Sequence, residues 1–326
     1  MGHERFGLGI TNCRAHADVL AGVELAEQLG AEIAFIAEDI NCRDAFQLCA
    51  LAASRTTRIR LSTGVTNPYT RTPTSLAMSL ATLDEVSAGR AALGLGTGSP
   101  TLIEEQMGIP HAKPVRLMQE TTQVVRALLT GDPVAFDGEI LRYRDARLEV
   151  RPVQDRIPIF FAAMGPQVLE MAGQVADGVL LNVGASTEYV RWAIERVRAG
   201  ERAAGRDPGH VTIAAWLTVY LTDDYADGLE RARRWLATML SIPRQGELLL
   251  EHAQLDMSIL PGIRKHVSGY PHRGDPRAAA RFVPVEVAEK LTVIGDATRA
   301  RSRLEEYRDA GVELPVLPIT AIRALA

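Results

Sequence analysis

Short apolar segments and amphipathic helices alternate along most of this chain, and this alternation restricts its fold more than any other feature. Strands that run in the same direction need crossover helices, so the alternation predicts a parallel sheet. Eight strand–helix pairs fit an α/β fold of the (β/α)8 TIM barrel type better than an open doubly wound sheet. The predicted strands lie at 6–12, 32–37, 59–65, 91–96, 157–162, 178–182, 211–221 and 314–319.

Two segments interrupt the alternation. Residues 134–150 are predicted to form a hairpin that turns at Asp137 and Gly138. Residues 241–281 lose the helical period and contain the prolines Pro243, Pro261, Pro271 and Pro276. A segment of this length is too long for a plain connection, so we expect it to form a lid over a site or an interface. We therefore predict a single barrel domain over 1–326 with one insertion after strand seven.

Charge and hydropathy exclude several classes of partner. The formal net charge is -4 at pH 7, and no block of like charge occurs, so we expect no nucleic acid partner. No apolar run reaches the roughly 20 residues that span a bilayer. Met1 leads directly into an apolar strand without a charged and apolar leader. These features predict a cytoplasmic protein without a membrane partner.

Metal sites and activated nucleophiles have no support in the pattern. The seven histidines are scattered and do not form a ligand motif, so no metal is expected. Cys13, Cys42 and Cys49 are odd in number and lack C-x-x-C spacing. They are therefore predicted to be small buried side chains rather than parts of a disulfide or a zinc site. The G-x-S-x-G motif of serine hydrolases is absent.

A barrel of this kind carries its functional site where the C-terminal ends of the strands meet. Arg90 precedes a strand and is therefore assigned to the opposite face. The candidate residues are those that follow a predicted strand: Asn12, Cys13, Glu38, Asp39, Thr66, Asn67, Thr97, Gly98, Ser99, Ala163–Gln167, Asn182, Gly184 and Thr222.

A glycine string, Gly94, Gly96 and Gly98, ends the fourth predicted strand. Without side chains, the backbone there would let a flat or phosphorylated ligand approach closely. Glycines at strand ends also serve turns, so the string alone is weak support for a ligand. A dinucleotide-binding fingerprint is disfavoured, because Pro100 and a loop follow the glycines where that motif requires a helix.

Three other rim segments have both a functional and a structural interpretation. Glu38 and Asp39 are adjacent, so one is expected to face the mouth while the other pairs with a helix; we favour Asp39 as the site residue. Asn67 is held extended by the following proline and would present its amide to the mouth, or form a turn. Ala163–Pro166 opens a helix whose N-terminus suits a phosphate, although an ordinary helix start has the same pattern.

The ordered set of motifs resembles the bacterial luciferase-like monooxygenase family, in the branch that uses the deazaflavin coenzyme F420 and is typified by methylenetetrahydromethanopterin reductases. The resemblance covers about residues 6 to 220. The matching segments are IAED, TRIRLSTGVTNPYTRTP, TLDEVSAGRAALGLGTGS, PIFFAAMGP and AGQVADGVLLN.

This resemblance implies that a barrel binds F420, or alternatively FMN, at its C-terminal mouth. It also implies a cis peptide bond between Gly64 and Val65 that presses on the ring from behind. Asp39 would orient the coenzyme or relay a proton and is the predicted catalytic residue. Residues Ala163, Met164, Gly165 and Pro166 would hold the phosphate end of the coenzyme. The ring would be lined by Asp39, Gly64, Val65, Thr66, Asn67, Gly96, Thr97 and Gly98.

Departures from the family pattern bear on the substrate. The sugar-phosphate dehydrogenases of this branch place a histidine where this chain has Ile40 and a glutamate where it has Ser99. The reductases carry a strand-one carboxylate where this chain has Gly9, and a histidine where it has Thr72. We therefore predict hydride transfer to or from another small organic molecule at a C=N, C=C or C=O group. The alternatives are an FMN-dependent monooxygenase and a flavin-binding barrel without turnover. The resemblance further implies a homo-oligomer, either a dimer or a tetramer.

Overall fold

Eight short parallel strands close into a barrel, which confirms the predicted (β/α)8 architecture. The computed structural model describes residues 5–181, 184–269 and 272–325. Strands are numbered in chain order, and those of the barrel are neighbours in the order β1, β14, β9, β8, β7, β4, β3, β2. They are β1 (Gly7–Ile10), β2 (Ile33–Ile36), β3 (Arg60–Thr63), β4 (Ala91–Leu95), β7 (Ile159–Ala163), β8 (Gly178–Leu181), β9 (Thr212–Trp216) and β14 (Leu314–Leu317).

The other strands form three small two-stranded sheets outside the barrel. They are β5 (Val134–Asp137), β6 (Arg142–Ala146), β10 (Val219–Leu221), β11 (Val267–Ser268), β12 (Arg273–Gly274) and β13 (Val293–Gly295). The α-helices are α1 (His16–Gln28), α2 (Ala45–Ala53), α3 (Pro73–Val86), α4 (Pro114–Leu129), α5 (Pro166–Val175), α6 (Thr187–Ala203), α7 (Tyr225–Ser241), α8 (Gln245–His252), α9 (Leu260–Arg264), α10 (Pro276–Ala280), α11 (Val285–Leu291), α12 (Ala297–Asp309) and α13 (Ile319–Leu325). None of the described helices is both long and apolar enough to cross a membrane.

The barrel interior is a packed apolar core rather than a channel. Side chains alternate along each strand, so one set fills the barrel while the other packs against the helices. The interior set includes Phe35, Phe160, Leu180 and Val316. The rings of Phe35 and Phe160 meet edge to face at a centroid distance of 5.3 Å. A ligand can therefore enter only from the end of the barrel.

Strand seven differs from its prediction, because the expected single strand at 211–221 is split. Only β9 belongs to the barrel, and β10 leaves it to pair in parallel with β13. Thr222 follows β10, so it does not directly follow a strand of the barrel as the sequence analysis expected. The local pattern could not show this, since both halves are apolar and only the pairing separates them.

The insertion predicted at 241–281 is mainly helical rather than irregular. Helices α8 to α11 pack with α7 around an apolar cluster of their own, which includes Leu236, Leu249 and Ile263. Met164, at the C-terminal end of β7, packs against the same cluster. Pro271 lies outside the described residues. The insertion thus contacts one side of the barrel mouth through Met164.

At the N-terminal face of the barrel, the side chain of Arg90 links several backbone segments by hydrogen bonds. Arg90 donates to the carbonyl oxygens of Ser87, Ala53, Thr56 and Ile59 and to the hydroxyl of Thr56, over distances of 2.7 to 3.1 Å. These acceptors come from the loops that precede β3 and β4. The assignment of Arg90 to the face opposite the site is therefore confirmed, and its role there is structural.

The predicted hairpin is confirmed as the antiparallel pair of β5 and β6, and a buried carboxylate holds its tip. Glu120 of α4 is fully buried. Its oxygens accept the backbone N–H groups of Glu139, Ile140 and Leu141 at 2.8 to 3.0 Å and the Arg116 guanidinium at 2.7 Å. Burial opposes the charge, but these four donors outweigh burial and lower the pKa of Glu120.

Replacing Glu120 with glutamine is expected to lower the free energy of unfolding by about 2 to 3 kcal/mol, because an amide –NH2 then faces backbone donors. Since the folded pKa is lowered, the carboxylate stabilises the protein above the usual glutamate pKa and loses this effect as the pH falls through the folded value. Urea unfolding across the acidic range measures both effects. Glu149→Gln is the matched control, because this side chain is 84% exposed; equal losses in both variants would contradict the prediction.

Candidate functional site

The C-terminal ends of β2, β3, β4 and β7 form one side of the barrel mouth, because these four strands are consecutive neighbours in the sheet. The strand order therefore brings together the predicted ring-binding residues, which follow β2, β3 and β4. The predicted phosphate-binding segment follows β7, next to β4. These four sequence segments, although far apart along the chain, make one continuous strip of the rim.

Asp39 is held at the rim by hydrogen bonds from the loop that follows β1. Its carboxylate Oδ2 accepts the Thr11 hydroxyl at 2.8 Å. Asn12 is fully buried, and its Oδ1 accepts the Asp39 N–H at 3.1 Å while its Nδ2 donates to the Asp39 carbonyl at 3.2 Å. Asn12 thus acts as a positioning residue that fixes the backbone of Asp39. Since the Asp39 side chain is half-buried, it can reach a ligand in the mouth.

Glu38 differs from Asp39 because it belongs to an ion-pair network. Arg71, from the loop after β3, binds both Glu38 and Asp44 and lies 4.9 Å from the ring of Phe46. Burial would raise the pKa of Asp44, but the hydrogen bond and charge of Arg71 lower it. The two adjacent acids therefore have different environments, as the alternation of side chains at a strand end predicts. These charged residues line a cleft of about 350 Å³ together with Asp39 and Met107.

A disulfide joins Cys13 to Cys42, which contradicts the sequence prediction of buried thiols. The two loops that carry these cysteines follow β1 and β2, and these strands are neighbours. Both cysteines are exposed, whereas Cys49 is a buried free thiol. Cys13 Sγ also lies 3.7 Å from Asp39 Oδ2. The prediction failed because cysteine spacing does not reveal which strand ends become adjacent.

Reduction of this disulfide by dithiothreitol is expected to lower the free energy of unfolding by about 2 to 4 kcal/mol, because the bond closes a loop with a sequence separation of 29 residues. Thiol titration of the native protein should find two reactive groups after reduction and none before. Cys42→Ser should reproduce the loss of stability, while Cys49→Ala should keep the response to dithiothreitol. Two reactive thiols in the native, air-oxidised protein would contradict the bond.

The peptide bond between Gly64 and Val65 is cis, as the family resemblance implied. A Cβ at Gly64 would lie 2.8 Å from Phe35 Cβ and 3.0 Å from the Trp216 ring, so only glycine fits. A Cβ at Gly94 or Gly96 would lie 2.8 or 2.7 Å from the methyl groups of Val65. These glycines therefore make room for Val65. Their absent side chains do not by themselves leave a gap for a ligand, as the sequence had suggested.

Thr66 and Asn67, which follow this bond, are both buried. Asn67 Oδ1 accepts the N–H groups of Tyr69 and Thr70 at 3.0 Å, so its side-chain oxygen is engaged in a turn. This matches the structural interpretation left open above. The hydroxyl of Thr66, by contrast, is buried and has no hydrogen-bond partner. A buried polar atom without a partner is costly, and a polar group of a ligand would satisfy it.

Two aromatic residues that the sequence analysis did not select lie beside the glycine string. His111 Nε2 lies 2.8 Å from the carbonyl oxygen of Thr97, and its ring stacks on Tyr69 at 4.7 Å. Gly98 has φ 72°, which favours glycine, and packs against Asn67 and Ile103. The position of His111 in a long loop carries no periodic signal, so sequence reasoning had no means to select it.

The predicted phosphate-binding segment opens α5. Gly165 caps this helix, Pro166 occupies its first turn, and the space around Gly165 is open. The first N–H groups of a helix have no partner within it and attract anions. The Met164 carbonyl accepts the hydroxyl of Tyr189 at 2.8 Å, and burial raises the pKa of that tyrosine. The backbone that would face a phosphate is therefore rigidly held from behind.

Ala163 and Ala162 face opposite sides of the wall at this point. Ala163 is buried among the residues that pack against the helices, so its side chain does not face the mouth. Ala162 is half-buried and lies in line with Phe160 on the inner side, a position that sequence reasoning missed.

Of the two candidates after β8, Asn182 lies outside the described residues. Gly184 faces Trp235 and Leu249 of the α7–α8 region rather than the mouth.

Taken together, three groups along this strip of the mouth are positioned to contact a ligand. The unpartnered hydroxyl of Thr66 lies at the β3 end, where a ring edge would sit. The open N-terminus of α5 lies two strands away along the same strip. The Asp39 carboxylate, which accepts the Thr11 hydroxyl, lies at the β2 end of the strip. The strip offers one carboxylate, one hydroxyl and backbone N–H groups, and the described residues contain no cluster of three or more His, Cys, Asp or Glu side chains that could hold a metal ion.

Comparison with known proteins finds similar sequences and structures over nearly the whole chain. A family model described as luciferase-like monooxygenase matches residues 5–314. The chain is 31% identical over 290 residues to a 5,10-methylenetetrahydromethanopterin reductase from Methanolobus tindarius, covering 89% of this chain and 86% of the relative. It is 29% identical over 265 residues to an F420-dependent glucose-6-phosphate dehydrogenase from Kineococcus radiotolerans, covering 79% and 72% of the two chains. The solved coenzyme F420-dependent tetrahydromethanopterin reductase from Methanopyrus kandleri superposes with a TM-score of 0.87 at 27% identity, covering 99% and 97%.

Proposed function

This chain belongs to the luciferase-like monooxygenase family, and from that premise we propose that it is a coenzyme F420-dependent oxidoreductase that transfers a hydride to or from a small organic substrate. Both curated relatives and the solved reductase described above are named for reductase or dehydrogenase activity. The observation that carries the proposal is the single strip that joins Asp39, the Gly64–Val65 bond and the open start of α5.

Each part of the strip has a role in this proposal. Bound F420 supplies hydride transfer, so the protein needs to bind, orient and shield it. The backbone at Val65 would support one face of the ring, and the Thr66 hydroxyl would bind a polar atom at its edge. The N–H groups at the start of α5 would bind the phosphate. The carboxylate of Asp39, oriented by Thr11 and Asn12, would hold or release a proton beside the reacting atoms.

The substrate is proposed to be neither a sugar phosphate nor a methanopterin. Positions 40, 99 and 9 hold Ile, Ser and Gly, where those enzymes are expected to have a histidine or a carboxylate. A small molecule with a C=N, C=C or C=O group is the substrate class that we propose instead. The α8–α11 insertion, which contacts the site through Met164, would contribute to the fit.

Binding of the two coenzymes tests the proposal directly. Purified protein is titrated with F420 and with FMN, and the fluorescence of each coenzyme is followed. We expect saturable binding of F420 and at least 10-fold weaker binding of FMN. Tight FMN binding without F420 binding, together with oxygen consumption by reduced FMN, would instead assign a monooxygenase. Binding of F420 that no candidate substrate reoxidises in a single turnover would support a barrel without catalysis.

We also propose that the chain forms a homo-oligomer, either a dimer or a tetramer. The large apolar side chains Leu51 on α2 and Met78 and Val86 on α3 are 48 to 55% exposed. The two helices are neighbours on the outside of the barrel, where an interface would cover them. Light scattering on the purified protein measures the oligomer mass. A monomer at micromolar concentration would contradict the proposal.

A further inference from the structure

The Cys13–Cys42 disulfide joins the two loops that carry and orient the Asp39 carboxylate. Cys13 lies in the loop between β1 and α1, and Cys42 lies in the loop between β2 and α2. Both cysteines are exposed, so a reagent in solution can reach either sulfur. The apolar core includes Cys49 but neither of these two residues. The bond therefore connects two surface loops at the mouth and is not part of the packed interior.

Two hydrogen bonds connect Cys13 to the Asp39 carboxylate. The backbone N–H of Cys13 donates to Thr11 Oγ1 at 3.2 Å, and the Thr11 hydroxyl donates to Asp39 Oδ2 at 2.8 Å. From the other loop, the N–H of Cys42 donates to the Asp39 carbonyl oxygen at 3.1 Å. The disulfide closes these contacts into a ring around Asp39. Breaking the bond opens this ring on its exposed side.

Reduction also changes what the Cys13 sulfur can offer to Asp39. The sulfur lies 3.7 Å from Asp39 Oδ2, within reach of a weak hydrogen bond from a thiol. A disulfide sulfur carries no proton and cannot donate, whereas a thiol S–H is a weak donor. In the reduced protein, the Cys13 thiol would therefore compete with the Thr11 hydroxyl for the same carboxylate oxygen.

The backbone of Asp39 has supports that do not depend on the disulfide. The buried Asn12 side chain binds both the N–H and the carbonyl oxygen of Asp39. Arg43 Nη1 also links the two loops, because it lies 3.3 Å from the Cys13 carbonyl oxygen. Since these contacts need neither sulfur, reduction should leave the barrel and the Asp39 backbone in place. Its main effect should be on the orientation of the carboxylate.

We propose that the Cys13–Cys42 bond is a redox-sensitive switch of the site. The oxidised form holds the Asp39 carboxylate in its working orientation, and reduction by a dithiol releases it and slows hydride transfer. This inference rests on the proposed function, in which Asp39 holds or releases a proton beside the reacting atoms.

The switching step is an ordinary thiol–disulfide exchange. One thiolate of the dithiol attacks one cysteine sulfur and displaces the other cysteine as a thiolate, and the second thiol of the reagent then displaces the first cysteine. The protein gains two electrons and two protons, and the dithiol becomes a cyclic disulfide. An oxidised dithiol reverses the step.

Hydrogen–deuterium exchange without coenzyme tests the link between the disulfide and the Asp39 loop. The full chain is reduced anaerobically with dithiothreitol, its thiols are counted by alkylation and mass, and exchange is compared with that of the oxidised protein. We expect the amides of residues 11–14 and 40–43 to exchange about 5-fold faster after reduction, because their contacts open locally. Residues 45–53 of α2, which include the buried Cys49, should not change.

Single-turnover kinetics test the effect on the reaction. Protein loaded with reduced F420 is freed of dithiothreitol and mixed with cyclohex-2-enone, which contains both a C=C and a C=O group. We expect reduction of the disulfide to slow oxidation of the coenzyme about 10- to 100-fold, the cost of a misplaced catalytic group. Oxidised dithiothreitol should restore the rate. Cys49→Ala is the matched control and should keep the full response.

Three variants separate a switch from a merely structural bond. Cys13→Ala and Cys42→Ala should both transfer hydride slowly and should not respond to dithiothreitol. Thr11→Val lacks the hydroxyl that connects Cys13 to Asp39. Its rate should already be low, and reduction should lower it less than about 3-fold further, since the two changes act through the same contact. A bond that only stabilises the fold would lower the rate by the same factor with and without Thr11.

The possible failures are distinguishable. If F420 does not bind the oxidised protein, the proposed function is wrong, while the exchange measurement still shows whether the bond holds the Asp39 loop. If F420 binds but reduction leaves either the exchange or the single-turnover rate unchanged, the switch is wrong and the proposed function stands. If cyclohex-2-enone does not oxidise the bound coenzyme, the exchange result alone decides. Wild-type rates in Cys13→Ala and Cys42→Ala would overturn the switch as well.

Discussion

Replacing Asp39 with asparagine is expected to lower the rate constant of hydride transfer about 10²- to 10⁴-fold, the range that a positioned proton-transfer group contributes. Asparagine has the same shape, and its oxygen can still accept the Thr11 hydroxyl, so the fold and the coenzyme position should be retained. The measurement is single-turnover oxidation of bound reduced F420, with circular dichroism as the check on folding.

A control variant is the neighbouring acid. Glu38→Gln removes a carboxylate one residue away that is paired with Arg71, so we expect lower stability and little change in kcat. The pH profile adds a readout that a structural role would not change: the wild type should show a dependence of kcat on pH that Asp39→Asn lacks. If Asp39→Asn raised only the dissociation constant of F420, the residue would orient the coenzyme and would not transfer a proton.

Removing the Arg90 side chain is expected to cause the largest loss of stability, about 3 to 5 kcal/mol in Arg90→Ala. The substitution leaves four carbonyl oxygens and one hydroxyl without their donor, in loops that the guanidinium holds together. Arg90→Lys should recover only part of the loss, because an ammonium group cannot reproduce the planar fork of donors. Urea unfolding of the three proteins measures the effect.

Arg142→Ala is the matched control for this prediction. Its ion pair with Asp137 joins side chains that are 73% and 89% exposed, so its loss should cost less than about 1 kcal/mol. Binding of F420 at low temperature should be unchanged in Arg90→Ala, because Arg90 and the mouth are at opposite ends of the barrel. A loss below 1 kcal/mol, or a selective loss of coenzyme binding, would contradict a purely structural role.

Particular residues show which features of this candidate site can be predicted from the sequence. Apolar runs locate the end of each strand, so the sequence alone predicts that Asp39, Thr66 and Gly165 share one rim. The cis bond at Gly64 followed from resemblance alone, since no local pattern distinguishes it from an ordinary turn. The sequence left the role of Gly94 and Gly96 open, because an absent side chain makes room equally well for a ligand or for neighbours such as Val65 and the Thr63 carbonyl.

Other features depend on partners that the sequence keeps far apart. The Cys13–Cys42 bond, the Glu38–Arg71 pair and the contact of Trp216 with Gly9 each join residues on different strand ends. The departure of β10 from the barrel depends on its pairing with β13, some 70 residues later in the chain. None of these pairings produces a periodic pattern in the amino-acid sequence.

The amino-acid pattern by itself determined the barrel, the face that carries the site and the strand ends that contribute to it, because burial periodicity and chain direction are local properties. Only the tertiary structure decided which rim residues meet, which acid is paired with an arginine and which cysteines form a disulfide. The physical reason is that these outcomes depend on strand order and on the space left when eight strands close, and both arise only when distant segments pack together.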